Sequence, residues 1–595
     1  MTITASRRVP AHLRSYVVRQ HYEAYTPVDQ AVWRFVMRQN RYFLEGRAHP
    51  AYLDGLTASG ISIERIPHVE EMNRCLGPHG FGAETIGGFI PGVAFYDFQA
   101  HGILPIATGI RKLEHIDYTP APDILHEAAG HAPILCDPGY AHYVKVFGEI
   151  GAKALASQAE HEVFDAVKHL SDILEDGTSS PEEIAQAKEV LAQKQAAATV
   201  PSEAELIARL YWWTVEYGLY GDLEHPLIYG AGLLSSIGES RSCLTDAVQK
   251  LPFDLEACLA TPFDITTQQP QLFVCQSFDQ LTDAVRTFAK RMAFMHGGVE
   301  GLRKAVRSGH TATVVYDSGL QVSGTVTEVL TDHHGEAAYL RFGSACALAY
   351  DGSQLPEQGK NRHPEGFSSP VGRIVGLDRA LQDCTVSDLK RLGIVQGTRG
   401  RLLFSSGVEV GGLVTKLTWQ QGKLVLITWS DCTVTWDDKV LFAPAYGPFD
   451  MAVGATIRSV FADAADPEHF YADTTAKTPA EPAVSIAHTD TREVSLLLQL
   501  YSDVRQLRED LAAGTSPLTD SEIDTRLTAI HLRLKDSFSD DWLLRIELYE
   551  LLCTTHRLPT VRTEILADIR TLQSAQYAHL GEWIDNALAL AERPL

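Results

Sequence analysis

Asp123-Ile-Leu-His-Glu-Ala-Ala-Gly-His-Ala-Pro133 places two imidazoles, His126 and His131, five residues apart at what reads as a helix end. On an unbroken α-helix residues i and i+5 stand about 140° apart, whereas the i, i+4 histidines of a zinc-peptidase helix are about 40° apart. At the longer spacing the pair reaches one metal only if the helix ends between them. Gly130 is a natural terminator and Pro133 forbids continuation, so the chain is expected to turn at Gly130 and swing His131 back. Pro120 and Pro122 bound the other side, Pro122 as a first-turn proline. The alternative for the pair is a helix cap plus a satisfied core histidine.

A second stretch, Tyr211-Trp-Trp-Thr-Val-Glu-Tyr-Gly218, sets one carboxylate, Glu216, among aromatic side chains. Ser202 followed by Glu205 is a capping-box start, and Leu206, Leu210, Trp213 and Tyr217 follow at helical spacing. Glu216 lies one turn after Trp212 and Trp213 and shares their side. A carboxylate in such a setting is costly unless a cation or strong donors compensate it. Pairing with an arginine, or exposure to water, would serve as well as a metal. Two histidines and one carboxylate, however, bind one face of a ferrous ion and leave the opposite positions open for oxygen and substrate.

The segment Ile110-Arg-Lys-Leu-Glu-His-Ile-Asp-Tyr-Thr-Pro-Ala-Pro-Asp-Ile-Leu-His-Glu-Ala-Ala-Gly-His-Ala-Pro133 resembles the iron-binding region of the tetrahydropterin-dependent aromatic amino acid hydroxylases. So do Tyr211–Gly218 and Tyr229-Gly-Ala-Gly-Leu-Leu-Ser-Ser-Ile-Gly-Glu239, in family order. Weaker similarity runs from Tyr25-Thr-Pro-Val-Asp-Gln-Ala-Val-Trp33 to Gln276-Ser-Phe-Asp-Gln280 and the helix after it, roughly the first half of the chain. The resemblance implies His126, His131 and Glu216 as iron ligands and catalytic centre. It implies Arg111 as the holder of the amino-acid carboxylate, which a planar guanidinium grips bidentately, with Thr119 beside it. Ser235 would support a ligand histidine and the substrate site, and Trp212 would line the aromatic pocket. Glu127 matches a glutamate next to the pterin. Phe98 is taken as the ring on which the pterin stacks, with Phe95 as the alternative, and Tyr211 is a further cofactor-side residue by its place in the aromatic helix.

What the resemblance implies chemically is a monooxygenase using Fe(II), a tetrahydrobiopterin-like cofactor and O₂ as co-substrate, in phenylalanine catabolism. The cofactors carry the difficult chemistry and the protein supplies geometry and exclusion of water. Phenylalanine 4-hydroxylation to tyrosine is the expected reaction, because Trp212-Trp213 keeps the tryptophan that the resemblance associates with phenylalanine and tyrosine hydroxylases. Tyrosine or tryptophan hydroxylation are the alternatives. A zinc hydrolase with Glu127 as general base is disfavoured by the spacing and leaves Arg111 and Thr119 without a role. A catalytically dead, hydroxylase-like binding protein is disfavoured by the intact ligand set.

Composition agrees with a cytoplasmic enzyme of several domains. The chain has 595 residues, 45% of them hydrophobic, with no apolar run of membrane-spanning length and no signal-peptide core at its start. Nine cysteines without a Cys-x-x-Cys pair point to a reducing compartment, and Cys136 reads as a small buried residue. A formal charge of -24 disfavours nucleic acid and anionic membrane as partners. The expected partner is a small amino acid. Little precedes Tyr25, so control of the type that animal members exert through a regulatory domain is not expected.

The expected organisation is a mainly α catalytic domain over 1–308, a β-rich domain with an internal repeat over 309–470, a linker over 471–489 and a C-terminal helical bundle over 490–595. Within the first, about 158–200 reads as an inserted helical hairpin, broken at Gly177-Thr-Ser-Ser-Pro181 and restarted by Ser180 and Glu183. In the second, Val314-Val-Tyr-Asp-Ser-Gly-Leu-Gln-Val-Ser-Gly-Thr-Val-Thr327 runs parallel to Leu402-Leu-Phe-Ser-Ser-Gly-Val-Glu-Val-Gly-Gly-Leu-Val-Thr415, and Cys346–Asp351 to Cys432–Asp437. Glycine turns at Gly335 and Gly422 mark hairpins, and one short helix is expected around Ser387 to Leu392. The C-terminal helices are read as Val494 to Leu511, a capped start at Thr519-Asp520, Trp542 to Cys553, and Ile565 to Leu590. They form either a docking or homo-oligomerisation module or an accessory unit packed on its own chain.

Overall fold

The computed structural model describes residues 9–116, 123–176, 179–264, 267–472 and 492–593. Thr119, Pro120 and Pro122, and most of the expected linker, lie outside them. The first region is helical with two small sheets. One is a parallel pair, Gly82–Ile86 with Ile103–Ala107, and the other has four short strands. Its central helix, Pro27–Phe43, opens on a full capping box: Thr26 Oγ1 accepts the Asp29 N–H while the Asp29 carboxylate accepts the Thr26 N–H at 2.7 Å. From Gln30 to Asn40 this helix is buried on every side, which marks a helix enclosed by neighbours and not one lying on a surface.

The expected insertion is a helical hairpin, Gln158–Asp176 and Pro181–Ala197, and Ser180 and Glu183 form its capping box. The next helix, Glu203–Tyr211, is capped differently. Ser202 accepts from the N–H groups of Ala204 and Glu205, but the Glu205 carboxylate turns forward to Arg209 Nε at 3.0 Å, so the box is half formed.

Two larger sheets follow. In the first, Thr311–Tyr316 and Leu320–Thr331 form a hairpin whose turn is closed by the Gly319 N–H on Tyr316 O at 2.9 Å. In the second, Arg399–Leu403 and Val408–Gln420 do the same through Gly407 and Phe404 O, also at 2.9 Å. Gly319 and Gly407 both take positive φ, 97° and 88°, which only glycine adopts freely. Gly335 and Gly422 close the next hairpins, and the short helix is Val386–Arg391. Two apolar cores accompany the sheets, one around Val314, Val322 and Leu348 that also takes in Val425 and Leu426 of the second sheet, the other around Val410, Trp429 and Val434.

The C-terminal helices are Arg492–Ala513, Asp520–Ser537, Leu543–Thr554, Pro559–Ala575 and Gly581–Ala591. The single helix expected from Ile565 to Leu590 is therefore two. The N–H groups of Gln576 and Tyr577 both return to Leu572 O, and a short turn at Ala578–Leu580 redirects the chain. That turn lets Ile565, Ile569 and Leu572 before it, and Ile584 and Leu588 after it, enter one core.

That core is shared with the first region, against which these helices pack. Trp542 packs edge-on to Phe35 of the central helix at 5.1 Å. Around them runs a buried ion network. Arg34, wholly enclosed, donates from Nε to Glu64 at 2.6 Å and from Nη1 to Glu547 and Glu550 at 2.9 Å. Arg38 pairs with Glu550 at 2.7 Å and donates to Leu590 O at 3.0 Å, and Arg508 joins Glu547. Three guanidinium groups thus meet two buried carboxylates, Glu547 and Glu550, and the partly exposed Glu64. The C-terminal helices thus pack on their own chain. Among the described residues no helix is long and apolar enough to cross a membrane, and no cysteine is paired.

Candidate metal centre

Both segments that carry the candidate ligands are wound as π-helix, Leu125–His131 and Trp212–Glu216. A π-helix hydrogen-bonds i to i+5, so side chains five residues apart stand one above the other on the same face. His126 and His131 converge for that reason and not because the helix breaks. Helical dihedrals continue through Ala132 (φ -64°, ψ -41°) and Pro133 (φ -62°, ψ -41°), and Gly130 takes no positive φ. The expected turn at Gly130 is thus corrected. Gly130 is small for a different purpose: a Cβ there would lie 2.6 Å from the Ala231 carbonyl oxygen. Gly230 is held in the same way, 2.4 Å from the Glu216 carbonyl. These glycines let the Ala231–Leu234 turn lie directly on both ligand segments.

The three side chains meet closely. His126 Nε2 is 3.3 Å from His131 Nε2 and 3.3 Å from Glu216 Oε2, and His131 Nε2 is 3.2 Å from Glu216 Oε1. Among the described residues this is the one cluster of histidine, cysteine and acidic side chains with metal-binding geometry. Burial alone would raise the pKa of Glu216, but the two imidazoles outweigh it and hold the carboxyl well below the usual range. Burial would lower His126, but Glu216 outweighs it and pushes the imidazole up to about 9. A carboxylate so placed requires positive charge beside it, which a bound cation supplies as well as protons do.

Ser235 fixes the working tautomer of His126. Its hydroxyl lies 3.0 Å from His126 Nδ1 and donates its single proton to Ala231 O at 2.8 Å. It must therefore accept from Nδ1–H, leaving the Nε2 lone pair aimed into the cluster. Asp123 is the functional residue that sequence reasoning missed. Its Oδ1 accepts the His126 N–H at 3.0 Å, and its two oxygens take the Nε and Nη2 of Arg111 at 2.8 and 3.0 Å and the Arg111 N–H at 2.9 Å. An aspartate three residues ahead of a helical histidine is an N-cap pattern, and that was the available signal.

The remaining predicted residues fall as follows. Arg111 is buried with one edge of its guanidinium on Asp123. Trp212 is sandwiched between Tyr217 (4.7 Å) and Phe263 (4.5 Å), so its edge and not its faces is available, and its buried Nε1 has no hydrogen-bond partner among the described residues. Glu127 is buried with Oε2 3.7 Å from His131 Nε2 and likewise without a hydrogen-bond partner, and burial raises its pKa. Tyr211 is buried against Phe95, Tyr96 and Phe147, its hydroxyl accepting from Gln99 at 2.6 Å. Phe98 is wholly enclosed by Leu13, Ile86, Ala94 and Ile103, which leaves no open face for a stacked ring. Phe95, one turn earlier, is half-buried, and so is Phe89 in the preceding loop. Glu239, unassigned from sequence, is buried under the Tyr217 hydroxyl, which donates to it at 2.6 Å, and burial pushes its carboxyl up to about 7.

Residues 19–170 and 182–296 match the family described as biopterin-dependent aromatic amino acid hydroxylase. The phenylalanine-4-hydroxylase of Vibrio cholerae is 31% identical over 255 residues, 42% of this chain and 73% of the relative. The chain belongs to this family. The phenylalanine-4-hydroxylase of Pseudomonas aeruginosa is also 31% identical, over 45% of the hydroxylase described here and 86% of the relative. A solved phenylalanine hydroxylase of Chromobacterium violaceum, with iron(III) and 7,8-dihydrobiopterin bound, is 26% identical with a TM-score of 0.38, covering 49% of this chain and 92% of that one. The β-rich and C-terminal helical regions of this hydroxylase lie beyond the residues that match the family.

Proposed function

We propose that this hydroxylase is an iron- and tetrahydropterin-dependent monooxygenase that converts phenylalanine to tyrosine. The observation that carries the reading is the cluster of His126, His131 and Glu216, whose imidazole nitrogens lie 3.3 Å apart and 3.3 and 3.2 Å from the two Glu216 oxygens. Two imidazoles and one carboxylate suit Fe(II) with open positions, and Ser235 presents the His126 lone pair that such an ion needs. The partnerless buried oxygen of Glu127 fits a cofactor that brings a hydrogen-bond donor to that wall. When bound, iron and the pterin supply the oxygen-activating chemistry.

The chain's own residues bind, orient and exclude water. With the Nε–Nη2 edge of Arg111 held by Asp123, its other edge is the one left to grip a substrate carboxylate, assisted by Thr119. Trp212, locked by its two neighbours, forms a rigid wall of the pocket. The half-buried Phe95 and Phe89 are the rings that would hold the pterin, with Tyr211 edge-on to Phe95. Phenylalanine as substrate is supported by Trp212 and by the similarity to phenylalanine-4-hydroxylases.

The domain reading of 1–308, 309–470 and 490–595 is kept, with the last unit docked on the first. That the two β units are related is supported by register: Leu320 faces Tyr350 as Val408 faces Trp436, and Val322 faces Leu348 as Val410 faces Val434. A cytoplasmic location is supported by nine free thiols. The test of the substrate role is Arg111→Ala. It should raise KM for phenylalanine by roughly 100-fold, the loss of a charge-assisted bidentate pair worth about 3 kcal/mol, while bound iron is unchanged. Loss of iron instead would make Arg111 structural.

A further inference from the structure

A cavity of about 450 Å³ opens among the C-terminal helices and belongs neither to the metal centre nor to the ion network. Its size lies within the range of small-molecule sites. Tyr549 and Cys553 line it from the Leu543–Thr554 helix, Arg562 and Leu566 from the Pro559–Ala575 helix, His556 from the loop between them and Glu592 from the chain after the last helix. That loop is held in an uncommon conformation, with positive φ at two non-glycine residues, His556 (54°) and Leu558 (44°). Backbone of this kind persists where the surroundings over-determine it.

The two charges on the wall decide the ligand. Arg562 lies beside Cys553 and forms no ion pair among the described residues, Glu592 included. The Glu592 carboxylate accepts the Tyr549 hydroxyl at a long 3.3 Å. A simple anion drawn to Arg562 meets Glu592, and a simple cation drawn to Glu592 meets Arg562. A ligand carrying both poles satisfies both. Tyr549 and Leu566 offer the apolar surface beside them. We propose that this cavity is an amino-acid site separate from the catalytic one, which binds the zwitterion of an apolar α-amino acid between Arg562 and Glu592. The same helix that carries Tyr549 and Cys553 carries Glu547 and Glu550, which hold Arg34 and Arg38 of the catalytic core. Occupancy is thereby one helix away from the centre of the hydroxylase fold.

The test is calorimetric titration of the full chain carrying Arg111→Ala, with L-leucine, 4-methylpentanoate and 3-methylbutylamine as probes. Saturable binding of leucine is expected, with either one-pole probe at least roughly tenfold weaker. Adding Arg562→Ala or Glu592→Gln should weaken leucine by at least about tenfold. Glu592 is exposed, so its variant keeps the test valid if the arginine variant fails to fold. Absence of saturable leucine binding, equal binding of a one-pole probe, or unchanged affinity in Glu592→Gln would overturn the proposal.

Discussion

At the scale of single residues, the centre depends on groups outside the triad itself. Ser235 has one proton and gives it to a backbone carbonyl, so its lone pair decides which His126 nitrogen is free. Glu239 works through Tyr217, whose ring stacks on Trp212. Its carboxyl is raised by burial to about 7, above the ordinary value near 4.3. A carboxyl with a raised folded pKa binds its proton more tightly in the folded state. Its contribution is therefore fully present below about pH 4 and is lost as pH rises through 7. Glu239→Gln keeps an acceptor for Tyr217 and removes that ionisation cost. The variant should match the parent at pH 4 and exceed it by up to roughly 3 kcal/mol at pH 9 in urea unfolding. An unchanged difference between the two pH values would mean that the carboxyl ionises freely in the fold.

At the scale of elements, the two ligand helices show what was and was not legible in the chain. The residues His126, His131 and Glu216 could be read from type and spacing, but the means of convergence could not. Spacing alone distinguishes i+4 from i+5, yet a broken α-helix and an intact π-helix both bring i and i+5 together. Choosing between them needed the backbone, whose dihedrals stay helical through Ala132 and Pro133, while a Gly130 Cβ would lie 2.6 Å from the Ala231 carbonyl oxygen. Gly130→Ala accordingly tests packing and not helix termination. Helix propensity alone would make it stabilising by about 0.5–1 kcal/mol. The 2.6 Å approach to backbone predicts instead a loss of about 1–3 kcal/mol, measured by denaturant unfolding, with weaker iron retention. Phe98 illustrates a similar ambiguity: an aromatic on a helix reads alike whether it faces a cofactor or, as here, an aliphatic cluster. The break between Ala575 and Gly581 escaped notice because leucine and isoleucine spacing continues across it.

At the scale of the molecule, the C-terminal helices share a core with the hydroxylase region although the whole β-rich region separates them in sequence. Arg34 and Glu547 are 513 residues apart, and no local pattern in either helix announces the other. Charged residues on helices ordinarily read as solvated faces, and only tertiary packing shows that these are enclosed. Burial alone would raise Glu547, but Arg34 and Arg508 outweigh it and hold the carboxyl below its ordinary range. Its stabilising contribution is therefore present above about pH 4 and is lost as pH falls through the depressed value. Glu547→Ala leaves two buried guanidinium groups short of a partner and should cost about 3–5 kcal/mol, read as a lower urea midpoint for the whole chain. A cost below about 1 kcal/mol would place the network at a solvated surface.

The most direct measurement is tyrosine formed from phenylalanine, tetrahydrobiopterin and O₂ as the chelator-stripped chain is titrated with Fe(II). The π-wound triad predicts product that rises with iron and saturates at one ion per chain, with zinc unable to substitute. Tyrosine formation that ignores iron, or none in the loaded enzyme, would contradict the account.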